Sequence, residues 1–366
     1  MRAGQGIRRW YVVALAAACV AVLAPAAAHA RALVGIGDQK AAMFSDPRLA
    51  WLHIERARLV VSWNVVRTPR ERVLVDAWLA DARRAGIEPL VAFGHAWDAR
   101  HRKILPSVRA YRQAIAAFRA RYLWVRVYTP WNEANHCSQP TCRRPERAAA
   151  YYVALRRACP RCEVVAADVL DQPNMVRWLR AFRRALPRGM APTLWGLHNY
   201  LDANRLRSTG TRRLLRAVPG RVWFTETGGV MSRRHYRDKI AFEESPAHAA
   251  KATAWILRLA ARLPRVRRVY FYQWNATSAT QVWDSGFIGS YGEPRAAFAV
   301  LARARGRNPA RAPGHPSTPA PPPLNEEPPP TSSSPPPPPT DPAPAPGPAP
   351  PSPPCLLGIL CPPPVG

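Results

Sequence analysis

The chain has 366 residues, 48% of them hydrophobic, which is enough apolar material for a large core and excludes a small fold dependent on metal or disulfides. Its 53 Lys+Arg against 23 Asp+Glu give a formal charge of +30, and because only Lys40, Lys103, Lys239 and Lys251 are lysines, 49 of the basic residues are arginine. Of the 42 prolines, 26 fall between Pro309 and Pro364, which excludes a single uniform fold from end to end.

At the start, Arg2, Arg8 and Arg9 precede an apolar stretch over 10–26, and Ala28-His29-Ala30 offers a small-x-small cleavage site. This pattern predicts a secretory signal over 1–30, cut after Ala30. The rival is an uncleaved anchor. No later segment has 18 continuous apolar residues, so no membrane span is expected after cleavage. The expected location is therefore secreted or associated with the cell envelope.

Residues 31–307 alternate. Apolar runs suited to buried parallel strands recur at 33–37, 58–63, 88–93, 125–129, 163–167, 193–197, 221–225 and 267–273. Helical patterns lie between them. Thr68-Pro69-Arg70-Glu71 combines a cap, a proline at the first helical position and a capping-box glutamate, with Leu74, Trp78, Leu79 and Ala82 as its buried stripe. Asp46-Pro47 and Ser245-Pro246 repeat the cap-proline device, while Tyr111, Ile115 and Phe118 form another stripe. Eight such units in about 275 residues fit an α/β fold of the (β/α)₈ barrel type. A doubly wound sheet usually has fewer strands and a glycine-rich phosphate loop. Gly35-Ile36-Gly37 lacks the full pattern of such a loop and reads as a tight strand exit.

From residue 308 the chain is a Pro/Ala/Ser tail that cannot build a core and is expected to be disordered, with polyproline II character and a spacer role. The leader carries three arginines and the tail a net −2, which leaves about +29 on the central region. Such a field attracts acidic envelope polymers without specificity. The arginines are spread over every predicted helix, and no nucleic-acid recognition module accompanies them, so no specific nucleic-acid partner is expected.

Six cysteines remain after the leader and permit fifteen connectivities. Local pairing is expected, as Cys137–Cys142, Cys159–Cys162 and Cys355–Cys361. A helix over 146–158, about 18 Å long, would hold the first two pairs apart and argues against a four-cysteine zinc site.

In a barrel of this kind the C-terminal strand ends form the active face. Those ends carry Asp38, Trp63, Asn64, His95, Trp97, Trp131, Asn132, Glu133, Asp168, His198, Tyr200, Glu226, Gln273, Trp274 and Asn275. A buried carboxylate or amide needs partners; gathered on one rim, such groups read as a pocket. Glu133 after the fourth run and Glu226 after the seventh face each other across the mouth. Opposed carboxylates suit glycosidic cleavage, one donating a proton to the leaving oxygen and the other attacking the sugar or activating water.

Here the chain resembles a known group. Val127-Tyr-Thr-Pro-Trp-Asn-Glu-Ala-Asn135 is similar to the fourth-strand signature of the large clan of retaining β-glycosidase barrels, and Val222-Trp-Phe-Thr-Glu-Thr-Gly228 to its nucleophile segment. Trp195-Gly-Leu-His-Asn-Tyr200 and Tyr270-Phe-Tyr-Gln-Trp-Asn275 resemble its sixth and eighth strands. The resemblance implies Glu133 as acid/base, Glu226 as nucleophile and Asn132 as a contact to the sugar 2-hydroxyl. It also implies that His198 and Tyr200 orient Glu226 or touch the sugar, and that Trp274 forms an apolar platform. Asp38, Trp63, Asn64, His95 and Trp97 complete the expected binding rim. One departure stands out: many clan members carry an arginine near the end of strand two, where this chain has Ser62-Trp63-Asn64.

No cofactor is needed for such chemistry and no metal is expected, since His95, His136 and His198 lack a three-ligand arrangement. No Gly-x-Ser-x-Gly elbow is present. The expected substrate is a poly- or oligosaccharide; the alternative is a carbohydrate-binding envelope protein with little or no turnover.

Overall fold

The computed structural model describes residues 32–234, 242–278 and 280–314. The leader, the Pro-rich tail beyond residue 314 and the expected Cys355–Cys361 pair lie outside the described residues.

A parallel sheet runs in the order β5-β4-β3-β2-β1-β10-β8-β7-β6. Its strands are β1 (Leu33–Gly37), β2 (Arg56–Ser62), β3 (Glu88–Gly94), β4 (Val127–Thr129), β5 (Glu163–Val164), β6 (Asp168–Leu170), β7 (Leu194–His198), β8 (Arg221–Thr227) and β10 (Val266–Tyr272). β5 and β6 are two pieces of the fifth apolar run. Between them Val165 N–H donates to Tyr128 O at 2.9 Å on one flank, and Ala166 N–H donates to Leu194 O at 3.0 Å on the other. The segment is thereby bonded on both sides and the sheet closes into the expected barrel of eight runs. A separate antiparallel pair, β9 (Ser232–Arg233) with β11 (Trp283–Asp284), lies outside that sheet.

The connections are helical: α1 (Pro47–Trp51), α2 (Pro69–Arg84), α3 (Val108–Arg121), α4 (Pro145–Ala158), α5 (Met175–Arg184), α6 (Tyr200–Asn204), α7 (Thr209–Ala217), α8 (Pro246–Arg262) and α9 (Ala296–Ala304). Asp46 and Ser245 cap α1 and α8 through side-chain oxygens, as their cap-proline pairs indicate. Thr68 does not cap α2 with its side chain. Glu71, the expected reciprocal partner, instead turns inward and accepts from Ser62 Oγ. The buried face of α2 follows Glu71, Val75, Trp78, Leu79 and Ala82, so Leu74, which is 62% exposed, falls one position off the stripe. None of these helices is long and apolar enough to cross a membrane.

Inside the barrel, Leu90, Val127, Val165, Leu194, Trp223 and Tyr270 form one apolar layer. Arg268 sits over the Trp223 ring at 4.0 Å and pairs with Glu163 at 3.0 Å, joining that layer to the N-terminal strand ends. Gly35 has a packing role beyond the strand exit expected of it: a Cβ there would come within 2.7 Å of the Tyr270 ring and 2.9 Å of Arg56 O. The two close disulfides, Cys137–Cys142 and Cys159–Cys162, have Cα separations of 4.9 and 5.3 Å and flank α4.

Overpacking a full interior typically costs about 1–3 kcal/mol. Gly35→Ala should lower unfolding stability by about that amount in a denaturant titration; an unchanged midpoint would show that Tyr270 yields freely.

Candidate active site

The site is built around a cation that strand-end reading passes over. Arg58 lies in the interior of β2, and its guanidinium is 1% exposed. Burying such a charge is costly unless every partner is in place. Here Nη1 donates to Glu226 Oε2 at 2.7 Å, while Nη2 donates to Asn132 Oδ1 at 2.6 Å and Asp168 Oδ2 at 2.9 Å. One side chain from β2 therefore reaches β8, β6 and the segment after β4. The arginine that the resemblance leads one to seek at the end of strand two enters from four residues upstream of Ser62, its length carrying the charge toward the mouth.

Glu226 sits within β8, and both its oxygens accept hydrogen bonds. Tyr200 OH, at the start of α6, donates to Oε1 at 3.0 Å, and Arg58 holds Oε2. Burial and the neighbouring Glu226 keep the Tyr200 hydroxyl protonated well above the ordinary tyrosine range. Asp168 depends on an absent side chain: a Cβ on Gly196 would fall 1.9 Å from its Oδ1. Burial is the largest influence and opposes its charge, but Arg58 and His198 together outweigh it and hold the carboxyl below its ordinary range.

Glu133 is placed differently. It follows β4 with φ of +48°, a left-handed conformation uncommon for a residue with a side chain. Asn132 N–H to Phe93 O at 2.6 Å and Ala134 N–H to Asp168 O at 2.9 Å fix the backbone on either side. Strain of this kind persists where surroundings over-determine it, often at functional sites. Glu133 Oε1 lies 3.0 Å from His198 Nδ1, whereas Oε2 is buried without a partner. Burial pushes this carboxyl above its ordinary range; the charge on Glu226 adds to the shift and His198 opposes it.

His198, at the end of β7, is enclosed by three carboxylates. Burial alone would lower its pKa, but Glu226, Asp168 and Glu133 together raise it to about 9. One oxygen of Glu133, one of Glu226 and a nitrogen of His198 lie within 4.8 Å of one another. This trio suits a metal poorly, because Arg58 already occupies Glu226 Oε2 and His198 Nδ1 is taken up by Glu133 Oε1.

The other expected residues divide. Trp63 and Asn64 follow β2, and Asn64 Oδ1 is buried without a partner. His95 and Trp97 follow β3 and are buried. His95 Nδ1 contacts Ala96 O at 2.7 Å, and burial, with Arg102 and Lys103, lowers its pKa. Asp38 is taken up by structure: it accepts from the backbone N–H of Trp274 at 3.0 Å and of Asn275 at 3.3 Å, and pairs with Lys40 at 2.8 Å. Its charge ties the exit of β10 to that of β1.

Trp274 corrects the platform expectation. Its indole donates to Asp46 at 3.0 Å, packs against Phe287 and Phe298, and is 1% exposed. Trp283 of β11 is partly exposed and stands edge-on, at 5.0 Å, to Tyr200, the residue that donates to Glu226. Nothing in its local sequence marks Trp283, since it lies in a loop-borne strand of two residues. Arg58 carried only a weak signal, as the charged first residue of the apolar run 58–63.

No protein-family model matches the chain, and comparison with curated proteins returns no match. Solved structures do resemble it. A family 39 glycoside hydrolase from Bacteroides cellulosilyticus WH2 aligns with a TM-score of 0.51 at 15% identity, over 76% of this chain and 64% of that one. A glucosidase from Croceicoccus marinus gives 0.56 at 14% identity, over 74% and 66%. Xylanase 10B from Thermotoga petrophila RKU-1, solved with xylobiose, gives 0.55 at 10% identity, over 75% and 94%. The chain thus spans about two thirds of the first two. At these identities the likeness establishes the fold, one shared with glycoside hydrolases.

A folded-state pKa of about 9, above the ordinary 6.5 for histidine, makes His198 stabilising below about pH 6.5, with that contribution lost as pH rises through 9. The stability advantage of wild type over His198→Gln should therefore shrink between pH 6.5 and 9.5 in denaturant titrations. A constant difference would mean that the imidazole is not charged in the folded protein.

Proposed function

We propose that the chain is a retaining glycoside hydrolase that cleaves a β-linked glycan or glycoside by double displacement. The observation that carries this reading is the pair Glu133 and Glu226, whose nearest oxygens stand within 4.8 Å in unlike surroundings. Carboxyl groups about 5–5.5 Å apart suit retention, whereas inversion requires about 6.5–9.5 Å to admit a water.

Glu226, held by Arg58 and Tyr200, attacks the anomeric carbon. The glycosidic bond breaks as the Glu133 proton passes to the leaving oxygen, for which its raised pKa is suited. Water then attacks the glycosyl ester on Glu226 while Glu133 accepts the water proton, releasing the sugar and restoring both groups. Arg58 occupies Asn132 Oδ1, so the amide N–H groups of Asn132 are what remains for a sugar hydroxyl. With Trp274 in the core, Trp283 supplies the apolar surface for a sugar face. His198 holds Glu133 Oε1, leaving Oε2 for the reacting oxygen.

Glu226→Gln should nearly abolish turnover on every substrate without loss of fold. Glu133→Gln should lose most activity on native glycans and much less on an aryl glycoside with an activated phenol, since that leaving group needs no proton. Azide should rescue Glu133→Gln with a retained glycosyl azide and Glu226→Gln with an inverted one, as read by proton NMR. Binding without cleavage across a broad panel of β-glycans and aryl β-glycosides would instead support a carbohydrate-binding protein.

A further inference from the structure

We infer that the outer surface around α3, α4 and α5 is a binding groove for an acidic polysaccharide, separate from the barrel mouth. Two adjoining concavities define it. One, of about 830 Å³, is lined by Arg109 and Arg112 of α3 and Arg157 of α4; the other, of about 460 Å³, by Arg180, Arg184 and Arg188 in and after α5. Pro187 lines both, so the two adjoin at that residue.

The charge there is uncompensated. All six arginines are exposed, and among the described residues none has an ion-pair or hydrogen-bond partner. The neighbouring sequence offers no acid. Residues 99–132 and 172–201 contain no Asp or Glu, and α4 contributes only Glu146, which lies 3.6 Å from Arg144. Ends of α4 and α5 each supply about half a negative charge, less than the arginines in their last turns. Exposed arginines without a partner also occur elsewhere, as at Arg70, Arg216, Arg262 and Arg303, but these stand singly on four different helices rather than around adjoining concavities. The groove is a place where the excess charge is left open.

The lining selects among anions. Apart from Arg183, which donates to Ala217 O at 2.8 Å, its remaining residues are Val, Ala, Gln, Leu, Gly and Pro, with no aromatic side chain. Single-stranded nucleic acids are held by stacking bases on aromatic rings within a basic groove; this surface has the charge without the rings. Arg109/Arg112 and Arg180/Arg184 are spaced one helical turn apart, about 5–6 Å between side-chain origins, near the length of one pyranose unit. A carboxylate on successive sugars can meet such a ladder through paired N–H donors, the geometry guanidinium favours. The inference does not depend on hydrolysis at the barrel mouth.

The test uses the folded protein with polygalacturonate at low salt, titrated by calorimetry, and compares two quadruple variants. One replaces Arg109, Arg112, Arg180 and Arg184 by Gln; the other replaces the exposed Arg70, Arg216, Arg262 and Arg303, matching the change in net charge. The groove variant should lose at least about tenfold in affinity and show a shallower salt dependence, and the control should change less than about threefold. Equal losses would reduce the effect to net charge and overturn the groove. Single-stranded DNA of matched charge should bind more weakly than polygalacturonate; tighter binding through the same arginines would overturn the choice of ligand. All eight positions are exposed, and thermal melts of both variants should match wild type. If the quadruple groove variant melts early, the pairs Arg109→Gln/Arg112→Gln and Arg180→Gln/Arg184→Gln carry the same comparison.

Discussion

The buried guanidinium of Arg58 is the constraint on which the rest of the site depends. Three groups from separate parts of the barrel converge on it within 2.6–2.9 Å: Asn132, Asp168 and Glu226. An ion held this way adds little net stability relative to an apolar filling, but removing one partner leaves an uncompensated charge that costs about 3–5 kcal/mol. The network therefore specifies geometry more than it stabilises the fold. It fixes where Glu226 points, how Asn132 is turned and which carboxylate, Asp168, is committed to structure.

That arrangement also separates two chemically identical side chains. Glu226 has a donor on each oxygen, whereas Glu133 has a contact on one oxygen and none on the other. Burial without a second donor raises the Glu133 carboxyl, and its left-handed backbone holds it across from Glu226. Room for this polar centre comes from residues without side chains and from filled layers beneath. Gly196 admits Asp168, and the layer containing Tyr270 and Trp223 fills the barrel below.

Much of this was legible in the sequence because parallel buried strands write themselves as apolar runs, and functional groups in a barrel follow them. Glu133, Asn132, His198, Tyr200 and Glu226 meet as the strand ends imply, and the two close cysteine pairs form locally. Distances across the barrel were not legible. Arg58 acts from mid-strand, so a reading confined to strand ends passes it by. Asp38 and Trp274 stand at strand ends yet serve the joint between β1 and β10, because rim position does not determine which way a side chain turns. Leu74 and Thr68 show the same limit on α2: composition signals a helix and its start, while tertiary packing chooses the phase and the partner of Glu71.

In the proposed double displacement Glu226 carries the attacking oxygen, and covalent capture tests that role most directly. A 2-fluoro β-glycoside with an activated leaving group, chosen from a sugar found to be turned over, should slow deglycosylation and leave the sugar attached. Peptide mass spectrometry should then find one fluorosugar ester on Glu226 and none on Glu133. A label on any other residue, or inactivation-free turnover with an inverted product, would contradict the assignment.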